Sequence, residues 1–113
     1  MTALDKVSRI NGVLGGAVLH DLYAHAFVVI QDGVQFSVRG SQKVDRVQIR
    51  FCEKRVRYQL SFWRRDPKRE TFFEVASYLD TQEHDVIGTV FREVGLPFHT
   101  SYFIAIQQER QGT

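Results

Sequence analysis

From Arg46 to Arg65 the chain reads RVQIRFCEKRVRYQLSFWRR, with apolar residues at nearly every second position. A period of two marks a strand with one buried face, because successive side chains point to opposite sides. A two-residue turn at Glu53-Lys54 sets Phe51 against Val56, Ile49 against Tyr58 and Val47 against Leu60. The other face then carries Arg50 against Arg57, Gln48 against Gln59 and Arg46 against Ser61, and Trp63 and Arg65 continue it. Two arginines directly opposed across a ladder repel, so this register asks for a compensating group nearby.

The same pattern recurs on either side. AFVVIQDGVQFSV reads as a hairpin turning at Asp32-Gly33, with Val29 facing Phe36 and Phe27 facing Val38. ETFFEVAS reads as a further strand, Phe73 and Val75 on one face and Glu70, Phe72 and Glu74 on the other. Paired back on its predecessor, it brings Glu74 near Gln59 and diagonally within reach of Arg57, one candidate compensation. A strand edge guarded by charge, its arginines paired with Glu70 and Glu74 or with the acidic C-terminal helix, is the plain structural account of the basic residues.

Helical spacing appears at the two ends. Leu4, Val7, Ile10 and Leu14 recur every three or four residues, with Gly15-Gly16 as the stop. AVLHDLYAH, which follows, reads either as an irregular connector or as a short strand. In DTQEHDVIGTVFREVGLP, Asp80 and Glu83 have the spacing of a capping box. Val86, Ile87, Val90, Phe91 and Val94 form the apolar stripe, and Gly95, Leu96 and Pro97 the terminator. TSYFIAIQ is expected as a last short strand and QERQGT as a frayed tail. The reading is an α+β fold, residues 1–113 in one domain, with an antiparallel sheet of about five strands packed against one or two helices.

Composition narrows the class. The chain of 113 residues is 43% apolar and 25% charged, which suits one globular core. No apolar run reaches the ~18–20 residues of a membrane span, and no secretion signal opens the chain. The single cysteine, Cys52, has no internal disulfide partner, so a reducing cytoplasm, its own or a host's, is the expected setting. The formal charge of +2 conceals a polarised chain. From Arg46 to Arg69 there are nine basic and two acidic residues, a local charge of +7, and the remainder carries −5.

The segments NGVLGG, AHAFVVIQDGVQFSV, VQIRF, YQLSFWR and DVIGTVFREVGL, in this order, resemble a family of small proteins of tailed bacteriophages and prophages. The matching positions are Leu14 to Gly16, Phe27, Val28, Phe36, Val47, Ile49, Tyr58, Phe62, Ile87, Phe91, Gly95 and Leu96. Arg57 stands where that family carries an acidic residue, and Tyr23-Ala24-His25-Ala26 replaces its Gly-Ala-Lys-Asn. The resemblance implies a compact mixed fold and a phage or mobile-element setting, and no reaction.

No catalytic kit is legible. His20, His25, His84, His99 and Cys52 lack the local spacing of a metal site or of a nucleophile with its base, and GVLGG is not a phosphate loop. No cofactor or metal is expected, and the chain is read as a non-enzyme. What remains is the basic sheet face, with Arg46, Arg50, Arg57, Trp63, Arg64 and Arg65 as the candidate contact residues. Arginine forks beside an indole suit phosphates and a stacked base, which points to nucleic acid. The alternative partner is an acidic host protein, blocked by a phage accessory inhibitor of the anti-CRISPR kind. A long edge strand also fits a homodimer.

Overall fold

The computed structural model describes residues 1–95, so the expected strand TSYFIAIQ and the tail lie outside the described residues. Helix α1 (Ala3–Asp21) is followed by five strands: β1 (His25–Ile30), β2 (Gly33–Ser37), β3 (Arg46–Cys52), β4 (Arg57–Asp66) and β5 (Thr71–Thr81). A 3-10 turn over Glu83–Asp85 then leads into helix α2 (Val86–Val94). The strands form one antiparallel sheet in the order β1-β2-β3-β4-β5, each paired with its sequence neighbours. The α+β architecture is therefore the one the patterning predicts.

Both helices cover the same side of the sheet. Ile10, Leu14, Val18 and Leu22 at one helix and Val86, Val90, Phe91 and Val94 at the other are buried there. They meet Val34, Phe36, Val47, Ile49, Phe51, Tyr58, Leu60 and Phe62 from the three central strands. A Thr2–Asp5 capping box starts α1, with Asp5 N–H donating to Thr2 Oγ1 at 3.1 Å and Thr2 N–H to Asp5 Oδ2 at 2.9 Å. These bonds hold the Asp5 carboxyl below its usual range. At α2 the expected box is absent. Asp80 belongs to β5, and Asp85, the residue before α2, makes no side-chain cap bond.

Gly15-Gly16 does not end the first helix. Gly15 breaks it, at φ 76° and ψ 158°, and the segment sequence reading left open resumes as helix to Asp21. Apolar residues every four positions drift about 40° per step around a regular helix. The break lets the second half reset, so that Val18 and Leu22 reach the sheet as Ile10 and Leu14 do. Leu4, expected on this face, is instead exposed. A side chain at Gly15 would meet no neighbour, but that backbone region is essentially reserved for glycine. Gly15→Ala is expected to cost about 1–3 kcal/mol, whereas Gly16→Ala, also in open space but without positive φ, is expected to be neutral or to stabilise by up to ~1 kcal/mol. Urea melts of the two variants check this, and equal effects would contradict the kink.

The register of the central hairpin differs from the expected one by two residues. Phe51 pairs with Tyr58, Ile49 with Leu60 and Val47 with Phe62, so the turn spans four residues, 53–56. Val56, expected opposite Phe51, sits in that turn at φ 52° and is half exposed. A two-residue slip keeps every side chain on its expected face. It also removes the predicted clash, because Arg50 now faces Gln59 and Arg57 faces Cys52. The first hairpin likewise pairs Ile30 with Gly33 and Val29 with Val34, turning at Gln31-Asp32 rather than at Asp32-Gly33.

A polar clasp ties α1 to the sheet and to the turn before α2. Tyr58 Oη donates to Glu83 Oε1 at 2.7 Å and accepts from Arg9 Nε at 3.0 Å. The Arg9 guanidinium also lies 4.5 Å from the Phe51 ring centroid. Burial, with the bond to Glu83 second, pushes the Tyr58 hydroxyl up from its usual range. Every group in the clasp is partnered, which fixes α1 on the sheet.

Candidate functional site

No described element covers the sheet side opposite the helices. Gln35, Gln48, Arg50, Gln59, Ser61 and Trp63 from β2, β3 and β4 lie on it, all half-buried by one another. Gln48 Nε2 donates to Gln35 Oε1 at 2.8 Å, and Arg50 Nη1 donates to Gln48 Oε1 at 3.3 Å. The centre of the open face is thus a neutral amide ladder with cations toward its ends.

The structure separates the six candidate residues. Arg57 leans on a carboxylate, its Nε 3.7 Å from Asp80 Oδ1, which Arg55 shares at 3.9 Å. Arg50 is held by Gln48 and pairs with no acid among the described residues. Arg46 and Trp63 are direct cross-strand partners on the open face. The Arg46 guanidinium carbon lies 3.6 Å from the centroid of the Phe72 ring, which belongs to β5. Arg65 lies beyond them on that face, opposite Phe72. Arg64 is opposite Phe73, and strand alternation turns it to the helix-bearing side. The six therefore do not make one row: Arg50 and Arg57 belong to one end of the sheet, and Arg46, Trp63 and Arg65 to the other.

Ion pairing decides which end is electrically open. Lys6, Arg9, Arg55, Arg57, Arg69 and Arg92 each have an acidic partner. Among the described residues, Arg39, Lys43, Arg46, Arg50, Lys54, Arg64, Arg65 and Lys68 make no ion pair. Arg46, Arg64, Arg65 and Lys68 belong to the end of the sheet where Asp45 and the β4–β5 tip come together, whereas Arg39 lines a recess with Leu19, His20, Tyr23, Ala24 and His25, and Lys43 lies against Gly95 at the end of α2. Asp45 joins the β2–β3 loop to β4: its N–H donates to the Trp63 carbonyl at 2.8 Å, and its Oδ2 accepts from the Arg65 N–H at 2.7 Å. The tip projects, since the pairs from Arg64↔Phe73 to Asp66↔Thr71 run past the start of β3. Asp45, Arg64, Arg65 and Pro67 line a shallow recess of about 380 Å³ there.

Glu70 and Glu74, the expected compensation, pair with no arginine among the described residues, and Glu74 faces Trp63 rather than Gln59. The basic run is thus neutralised only in part, Arg55 and Arg57 by Asp80 and Arg69 by Asp66. Lys68, on the tip between β4 and β5, lies within the basic run but is not among the six candidate residues read from the sequence. A second recess, of about 280 Å³, lies at the opposite pole between Lys6, Asp32, Arg50, Cys52, Lys54 and Gln59. The ion pair of Lys6 with Asp32, at 2.7 Å, already fills part of its charge requirement. Among the described residues no group of three or more His, Cys, Asp and Glu side chains is gathered as a metal site requires, and no helix is long and apolar enough to cross a membrane.

Comparison with protein-family models, with curated proteins and with solved structures finds no match.

Proposed function

We propose that this chain is a small non-enzymatic module that binds nucleic acid through its phosphates, at the pole built from the β2–β3 loop and the β4–β5 tip. One observation carries the reading. Among the described residues Arg46, Arg64, Arg65 and Lys68, at the start of β3 and on the β4–β5 tip, make no ion pair, and the open sheet face beside them carries Trp63. Arg46, Arg64, Arg65, Lys68 and Arg69 stand there against Asp45, Asp66, Glu70 and Glu74, so the pull on polyanions comes from exposed cations free of ion pairs rather than from a large net charge. Arg50 and Arg57, proposed from the sequence as contacts, have a lesser part, because Arg57 is already paired and both lie at the other pole. A cytoplasmic setting, and the phage or mobile-element origin that the sequence resembles, are part of the same reading.

The test is a titration with fluorescent oligonucleotides across a salt series. Four phosphate contacts to a single strand give a slope of about −3 in log affinity against log salt, with dissociation constants of roughly 10⁻⁴–10⁻⁶ M at physiological salt. Affinity that is absent at low salt, or indifferent to salt, would remove the reading.

A second reading is favoured by the opposite edge of the sheet. β1 exposes Phe27, Val28 and Val29 and carries no Lys, Arg, Asp or Glu. An unguarded apolar edge invites a partner strand. It would suit an accessory inhibitor seated on a host defence protein, or a second copy of this chain. This reading expects no nucleic-acid affinity at physiological salt, so the same titration separates the two.

A further inference from the structure

Two buried donors sit side by side at the chosen pole with nothing to donate to. Among the described residues, Arg46 Nε and Trp63 Nε1 are the buried side-chain polar atoms without a hydrogen-bond partner. They belong to residues directly opposed across the β3–β4 ladder. Buried donors are nearly always satisfied, and an adjacent unsatisfied pair asks for an acceptor from outside. The Phe72 ring next to them is covered by the Arg46 guanidinium at 3.6 Å, the spacing of a stacked planar group. Glu74 is opposite Trp63 but bonds to neither donor.

We propose that the Arg46–Phe72 stack is the closed form of a nucleobase platform, and that the ligand of this pole is single-stranded. This rests on the nucleic-acid reading above and deepens it. An unpaired base takes the place of Arg46 on Phe72. Arg46 swings off the ring, and its Nε, uncovered, donates to a phosphate oxygen of the same strand. The uncovered Trp63 Nε1 donates to an acceptor on the base edge. Both orphan donors are then satisfied by a single movement. Bases in a duplex are already stacked and paired on their neighbours, so a duplex supplies phosphates to Arg64, Arg65 and Lys68 but no base to Phe72.

Trp63 is the only tryptophan, so its emission reports on this site. The full chain is titrated at low salt with a twelve-nucleotide oligothymidine and with a twelve-base-pair duplex. The single strand is expected to bind about tenfold more tightly and to quench Trp63. Phe72→Leu should lower the single-strand preference to near unity, and Phe72→Tyr, which keeps the ring, should restore it. Equal wild-type affinity for the two ligands overturns the platform, whatever the variants' stability, and leaves the electrostatic reading standing. Unchanged preference in a folded Phe72→Leu protein overturns it as well. Binding of neither ligand overturns both.

Discussion

Gly33→Ala is expected to lower the stability of this protein by about 3 kcal/mol or more, with a fall in melting temperature of roughly 12 °C. The reason is not conformational freedom, because Gly33 does not have positive φ. Its Cα side faces the backbone of β3. A methyl group there would collide with the Ile49 carbonyl oxygen and come within 2.8 Å of the Arg50 Cα. Strand backbones cannot give way as a flexible side chain can. β2 would have to part from β3, loosening the ladder from Gly33↔Arg50 onward and the bond from Phe51 N–H to the Asp32 carbonyl at 2.9 Å. Had Gly33 been the second turn residue, as Asp-Gly suggests, alanine would cost only about 1 kcal/mol. Chemical denaturation distinguishes the two, and a loss below ~1 kcal/mol would show that the strands are not so close.

Gly33 also illustrates what the chain discloses by itself. A period of two identifies strands and assigns their faces, and here all three central strands bury the side that their patterning marks. Pairing depends on turn length, and a slip of two residues is invisible to a period of two. Hence Phe51 was matched with Val56 rather than Tyr58, and Val29 with Phe36 rather than Val34. β5 was legible in part. Irregular pairing between Phe62 and Trp63, and again between Tyr58 and Leu60, breaks its alternation. Asp80, with a helix-capping residue's spacing, was drawn into the strand, where it meets Arg57.

The site was less legible than the fold, for a physical reason. Local charge density can be counted along a sequence, but neutralisation is decided by partners remote in the chain. Arg57 meets Asp80 and Lys6 meets Asp32 because the sheet brings them together. Glu74, close to the basic run in sequence, compensates none of it. The basic character of the central hairpin was thus readable, and the pole at which charge remains free was not.

Reversal of charge at that pole is therefore expected to outweigh reversal anywhere else. Arg64→Glu, Arg65→Glu and Lys68→Glu combined should reduce affinity for a single strand at least 100-fold and flatten the salt slope by about two. Three contacts are lost, and three anions now face the phosphates. None of these side chains makes an ion pair or a side-chain hydrogen bond among the described residues. Each change should thus stay within about 0.5 kcal/mol in stability. The control reverses Lys54 and Arg55 in the 53–56 turn, at the other end of the molecule, and changes the charge by about two-thirds as much as the triple variant does. Its affinity should fall less than about threefold, because charges ~25 Å or more along the strand from the contact lie beyond the ~8–10 Å screening length. Equal losses in the two variants would mean that net charge alone governs binding. The pole would then have no privileged role, however bare its cations are.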